Sequence, residues 1–265
     1  MSQSYEHILV DEVDDIATIT FNRPALRNAL HLEMNLEIRA AMERMEVAGN
    51  VRALIFTGAG GKAFVSGADI AELRDRKGPE ALARHNARLC DAIASFSSPT
   101  IAAIRGWALG GGCEVALACD MRVGGRSAKM GQPEVGLGIL PAAGGTWRLP
   151  QVVGVAKAKE LIFTGAIVDA DEALALGLLN HVVDDESVMA RSLELAASVA
   201  AQSPMAVRLA KVAINSGRES SEATGSMLEA LAQTVLYDDQ DKHDRMTAFL
   251  EKRAARAAAK GEKNG

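Results

Sequence analysis

This sequence of 265 residues is short of cysteine, of basic charge and of long apolar runs. Its three cysteines, Cys90, Cys113 and Cys119, stand among small and apolar neighbours, which suits reduced core thiols better than a disulfide framework. The gap from Cys113 to Cys119 matches no metal spacing, and the histidines at 7, 31, 85, 181 and 243 are scattered, so no metal site is expected. The net charge of −5 removes the basic field that nucleic-acid binding usually draws on. The richest basic stretch, Lys252 to Lys260, is mostly alanine, which leaves an RNA-binding or scaffold role as a remote rival. No window approaches the roughly 18 continuous apolar residues of a spanning helix, and the first residues lack a basic-then-apolar leader pattern. The chain reads as cytoplasmic. Neither a GxxxxGK[ST] loop nor a GxGxxG after a strand occurs, which argues against a nucleotide cofactor.

What is present is an ordinary globular composition, 48% hydrophobic and 24% charged, enough for one large domain with an appendage. Ile8–Val10 and Ile16–Phe21 read as a hairpin around Asp14-Asp15. Residues 30–45 carry apolar groups at helical spacing, at Met34, Ile38, Ala41, Met42 and Met45. Strands are expected at Val51–Thr57, Thr100–Ile104, Met121–Val123 and Leu178–Val183. Helices are expected over Pro79–Phe96, the segment after Leu109, Ala156–Phe163 and Glu172–Leu176, the last opened by an Asp169/Glu172 capping box. From Asp185 onward only helices appear: Ser187–Gln202, Pro204–Ser216, Ser220–Tyr237 and Asp239–Ala259, with residues 262–265 frayed. The fold class is therefore α/β, with a core over residues 1–200 and an all-helical region over 201–265. That region has too few large apolar groups to stand alone, so it should dock on its own core or on a second subunit.

Two glycine-rich turns follow two buried strands. GGKAFVSGADI, residues 60–70, exposes backbone N–H groups around Ala68 and Asp69, and LGGGCEVALACD, residues 109–120, repeats the construction. Converging amides could hold a carbonyl oxygen as it gains charge. Two glutamates stand nearby in sequence. Glu114 follows the triple glycine, where it can be a favourable first-turn acid or a catalytic carboxylate. Glu134 lies in GQPEVGLGILPAAGGT, where it is either a solvated loop acid or, among apolar neighbours, an acid of raised pKa suited to proton transfer.

SGADI at 66–70, GWALGGGCE at 106–114 and GQPEVGLGILPAAGGTWRL at 131–149 resemble the signature regions of the enoyl-CoA hydratase/isomerase (crotonase) superfamily. The similarity extends from FNRPALRNAL at 21–30 through AKAKELIFTG at 156–165 to MTAFLEKR at 246–253. It implies a spiral of ββα turns with a C-terminal helical region that builds trimers, commonly paired as a dimer of trimers. It also implies an acyl-CoA thioester substrate, no cofactor beyond the CoA of that substrate, and an oxyanion hole from the N–H groups of Ala68 and Gly111. By the same resemblance Glu134 protonates Cα while Glu114 activates the water of a 2-enoyl-CoA hydration, and having both favours hydration over double-bond isomerisation. A methylglutaconyl-type hydratase or carnitinyl-type dehydratase remains a neighbouring alternative. CoA contacts carry over to Ala25, Leu26 and Ala63, to Asp69, Ile70 and Ala71 beside the thioester, and to Lys252, which would reach the CoA of an adjacent subunit. Trp107, Pro141-Ala142 and Trp147 depart from the family's usual residues and bear on acyl preference more than on reaction class; Trp147 is expected to pack rather than touch ligand.

Overall fold

The computed structural model describes residues 5–217 and 220–261. Its elements fall into two compact units, Met1–Ala200 and Ala201–Gly265. In the first unit, β1 (Ile8–Val13) and β2 (Ile16–Phe21) pair antiparallel through a turn in which Asp14 has φ +54°. Along β2 the inward residues Ala17, Ile19 and Phe21 alternate with more exposed ones, the period-two pattern of a strand with one face on the core. Helix α1 (Leu32–Ala48) buries Met34, Ile38, Ala41, Met42 and Met45 and stops at Gly49.

The remaining strands are arranged in two sheets. A six-stranded sheet has the order β1-β2-β3-β5-β7-β10, with β3 (Ala53–Gly58), β5 (Thr100–Ile104), β7 (Met121–Gly125) and β10 (His181–Val183) running parallel. Strands β3 and β5 are buried throughout, as parallel strands covered on both faces must be. A smaller sheet takes β4 (Ala63–Val65), β6 (Trp107–Leu109), β8 (Lys129–Gly131) and β9 (Ile167–Asp169), in that order. The chain therefore steps from a long strand to a short one and into a helical segment. It goes β3 to β4 to α2 (Ile70–Asp75), then, after α3 (Gly78–Ala81) and α4 (His85–Ser95), β5 to β6 to α5 (Gly111–Ala118). The third step goes β7 to β8 to a 3-10 turn over Pro133–Leu137, followed by α6 (Gly145–Val153). Each pass delivers a glycine-containing turn to the same end of the small sheet.

After α7 (Val155–Thr164), Asp169 caps α8 (Ala170–Ala175) by accepting from Glu172 N at 3.0 Å. The reciprocal half of the expected capping box is missing, because the Glu172 carboxylate pairs with Lys157 at 3.1 Å. Helix α9 (Val188–Ala200) packs Val188 and Ala196 into a second apolar cluster with Ala53, Ile55, Ile101, Ala103 and Val123 of the large sheet.

The helix foreseen over Pro79–Phe96 is broken into α3 and α4, because Arg84 adopts a left-handed conformation with φ +51° that no α-helix continues through. The strand expected from Leu178 begins only at His181, while Leu178 and Leu179 are buried ahead of it. None of the four short strands was anticipated except as loop or helix start, since three residues cannot display a period.

The second unit consists of α10 (Pro204–Gly217), α11 (Glu222–Tyr237) and α12 (Gln240–Gly261). Neither α10 nor α11 has a single fully buried residue, and Ile214, Met227, Leu231, Phe249 and Leu250 are more than half exposed. The fraying expected at residues 262–265 lies outside the described residues. Among the described residues, no helix is long and apolar enough to cross a membrane.

Candidate active site

The first glycine turn is strapped to the start of α1. Leu30 N donates to Gly67 O at 2.8 Å and Asp69 N donates to Leu30 O at 2.8 Å, and the Ala68 N–H between these rungs takes part in neither. Of the two amides expected to be exposed here, only that of Ala68 is therefore free of this ladder; the Asp69 N–H is committed to Leu30. In the second turn, Gly110 sits at φ +50° and ψ −121°, a conformation closed to residues with a side chain, and donates to Gly131 O at 2.9 Å. Gly111 then opens α5, so its N–H has no acceptor within the helix. A Cβ on Gly111 would lie 3.5 Å from Ala68 N, so the two glycine turns approach each other here. One on Gly112 would run into the Val65 carbonyl, so the third glycine lets α5 rest directly on β4. Gly110 and Gly112 thus each have a reason to be glycine, whereas a Cβ on Gly111 would make only ordinary contacts.

Glu114 lies in the first turn of α5, as its helix-start reading required, but it is buried at 3% exposure rather than solvated. Its Oε1 accepts from Ala143 N at 2.6 Å, on the turn before α6, and from Gly145 N at 2.8 Å, at the first residue of that helix. Burial pushes its pKa up, while these two amides and the nearby Arg148 guanidinium favour the charged form and pull it back.

Glu134 sits on the 3-10 turn rather than in an open loop and is 9% exposed. Desolvation drives its pKa to about 7, and the charge of Glu114 adds to the rise. Gln132, fully buried and with its amide oriented to donate, places its nitrogen 2.9 Å and 3.2 Å from the two Glu134 oxygens. A Cβ on Gly110 would also stand 3.2 Å from Glu134 Oε1, so that carboxylate would have to shift by a few tenths of an ångström. Both carboxylates therefore share one neighbourhood with the Ala68 and Gly111 turns.

The remaining expected positions separate into two groups. Ala25 and Leu26 form an exposed 3-10 turn over Pro24–Leu26 that is tied to the small sheet by Asn28, whose Nδ2 donates to Ala63 O at 2.9 Å and Ala59 O at 3.0 Å. Ala63 itself is buried in β4. Asp69 caps α2 through Ala71 N at 3.1 Å and pairs with Arg23 at 3.3 Å, while Ile70 and Ala71 are exposed beside it. Asp69, Ile70 and Ala71 directly follow Ala68 in the chain. Lys252 lies on α12 of the second unit, exposed.

Trp147 is 44% exposed and offers its ring to the Arg148 guanidinium 4.1 Å from the ring centre, so it is not a core packing residue. Three residues with polar contacts in the site were not anticipated: Gln132, Arg148 and Asp91. All three cysteines are buried and unbridged, and burial pushes the Cys113 thiol up to about 12, which keeps it unreactive. Among the described residues, no group of three His, Cys, Asp or Glu side chains could hold a metal ion.

Backbone amides at two glycine turns beside two buried carboxylates are an arrangement that can take up charge on a carbonyl oxygen while protons move at adjacent carbons. The comparisons agree on the class. Residues 11–258 match the family model described as enoyl-CoA hydratase/isomerase. The chain is 41% identical over 97% of its length to the full length of a crotonyl-CoA hydratase of Syntrophomonas wolfei. It is 40% identical over 93% of its length to 95% of a short-chain-enoyl-CoA hydratase of Clostridium acetobutylicum. The crystal structure of an enoyl-CoA hydratase from Bacillus anthracis superposes with a TM-score of 0.90 at 37% identity, covering 93% of this chain and 97% of that one. The chain belongs to the enoyl-CoA hydratase/isomerase family; it is an enzyme with the crotonase fold.

Proposed function

We propose that the chain hydrates short 2-enoyl-CoA thioesters to 3-hydroxyacyl-CoA, with Glu114 and Glu134 as its acid–base pair and the Ala68 and Gly111 amides as its oxyanion hole. The observation that carries this reading is the pair of buried glutamates in one neighbourhood, one accepting two amides and the other desolvated to a pKa of about 7. The thioester oxygen accepts from Ala68 and Gly111, which draws electron density from Cβ. Glu114 takes a proton from water as the water oxygen bonds to Cβ. The π electrons of the double bond pass onto the thioester as an enolate, and Glu134 delivers its proton to Cα as the carbonyl reforms. One water is consumed, and proton return between the two carboxylates through solvent resets the site. Losing one oxyanion donor typically costs about 3–4 kcal/mol of transition-state stabilisation.

CoA is held only as part of the substrate, along the edge formed by Ala25, Leu26, Ala63 and Asp69 to Ala71. The exposed apolar side chains of α10 to α12 support a homo-oligomer in which Lys252 contacts the CoA of a neighbouring subunit. The test is a panel of enoyl-CoA esters differing in chain length and charge, followed by loss of the conjugated thioester absorbance. Hydration of crotonyl-CoA is expected. Conversion of 3-enoyl-CoA to 2-enoyl-CoA with no hydration of any member would replace this reading with isomerisation.

A further inference from the structure

Arg148 is a buried cation, 4% exposed, on the first turns of α6. Keeping a guanidinium out of water is costly unless its donors are used. Here Nη1 donates to Ala143 O at 2.9 Å and Nη2 donates to Asp91 Oδ1 on α4 at 3.1 Å. The guanidinium also fills the space that a side chain on Gly144 would need, where the backbone takes φ +112°. The same three-residue turn, Ala143 to Gly145, supplies both amides that hold Glu114 Oε1. Arginine therefore grips the outer side of a turn whose inner side grips the glutamate.

We propose that Arg148 is a positioning residue for hydration, clamping the Ala143–Gly145 turn so that its amides fix Glu114 in place. The proposal rests on Glu114 being the water-activating base. A planar fork satisfying a carbonyl and a carboxylate at once is work that lysine cannot duplicate. The charge matters as well as the fork: Arg148 favours ionised Glu114 against its burial. The other titratable groups around Glu114 are Glu134 on the 3-10 turn, Cys90 on α4 and Cys113 on α5, with both thiols held far up and neutral. Asp91 faces Arg148 from α4 and is itself approached by Arg84 at 3.7 Å. Removing the arginine thus removes the cation that favours a charged Glu114.

The test compares R148M, R148Q and R148K in wild-type and E114Q backgrounds, reading kcat and KM for crotonyl-CoA across pH with circular dichroism and melting in parallel. R148M should lower kcat about 10- to 100-fold with KM within about threefold, because a misplaced base affects chemistry more than binding. The acid limb of its kcat/KM profile should move to higher pH as Glu114 becomes harder to ionise. R148K should keep the limb near the wild-type position while recovering only part of kcat. In the E114Q background R148M should add less than about threefold, since its target is gone. An unmoved acid limb in R148M, or an equal loss in both backgrounds, would overturn the proposal. Should R148M not fold, R148Q keeps a donor toward Ala143 O without the charge, and an unmoved limb there overturns it equally. Failure of the two-glutamate reading would look different: E114Q itself would hydrate at the wild-type rate.

Discussion

Glu114 and Glu134 carry the same carboxyl group, sit in the same neighbourhood and are both pushed upward by burial, but the groups that offset that burial differ. Around Glu114 the chain gathers what an anion needs: two amides donate to one oxygen, and a buried guanidinium stands behind the turn that provides them. Around Glu134 it removes water and adds a neighbouring negative charge, offset in part by the residue's own backbone N–H and with the Gln132 amide alongside, and the carboxyl keeps its proton to about pH 7. The difference teaches that two like carboxyl groups are set apart by their surroundings, not by their own chemistry, as the proposed base and acid roles require. The amides that favour charge come from residues 29 and 31 positions downstream of Glu114, so the division is made by tertiary structure.

The comparison breaks most completely when either carboxylate loses its proton chemistry. Glu134→Gln and Glu114→Gln should each lower kcat for crotonyl-CoA hydration by about 10²- to 10⁴-fold with CoA binding nearly unchanged, read by absorbance and by calorimetry with CoA. Full activity in either variant would remove that residue from the mechanism. A milder break disturbs the ground between them. Gly110→Ala forces a side chain into a glycine-only backbone conformation and toward Glu134 Oε1, so it should cost about 1–3 kcal/mol of stability by denaturant titration, with a further loss of rate.

The smallest effect sharpens the comparison through stability. Because the folded pKa of Glu134 is raised from 4.5 to about 7, ionising it in place is unfavourable: its own contribution to stability is greatest below the unfolded value and is lost as pH rises to about 7. Glu134→Gln removes that penalty. The variant should match wild type near pH 4 and exceed it by about 1–3 kcal/mol at pH 8 in urea unfolding, a gain in stability accompanying a loss of function. No pH-dependent gain would mean that Glu134 is better solvated than its surroundings indicate.

Much of this was readable from residue patterns. Thr100–Ile104 is a continuous apolar run between turn signals, and the glycine turns after it and after β3 announce exposed amides. Glu114 and Glu134 stood out because each is a lone charge among glycines and apolar residues. Other features are silent in the local sequence. Strands β4, β6, β8 and β9 are too short for alternation to register, and the break at Arg84 has no glycine or proline to mark it. Arg148 and Gln132 read as ordinary polar residues beside the GG and PE motifs; only the packing of α4, α5 and α6 reveals that they are buried. An arginine three residues after Gly145 and next to Trp147 was the one local signal available, and it acquires meaning only once Ala143 and Glu114 are seen to touch.

The division of labour between the two glutamates is tested most directly by titrating their carboxyl carbons by NMR in wild type and in E114Q. Glu134 should titrate near pH 7 in wild type and lower in E114Q, where the charge of Glu114 no longer holds its proton on. A Glu134 carboxyl that titrates in the ordinary range near 4.5 in both proteins would contradict the account.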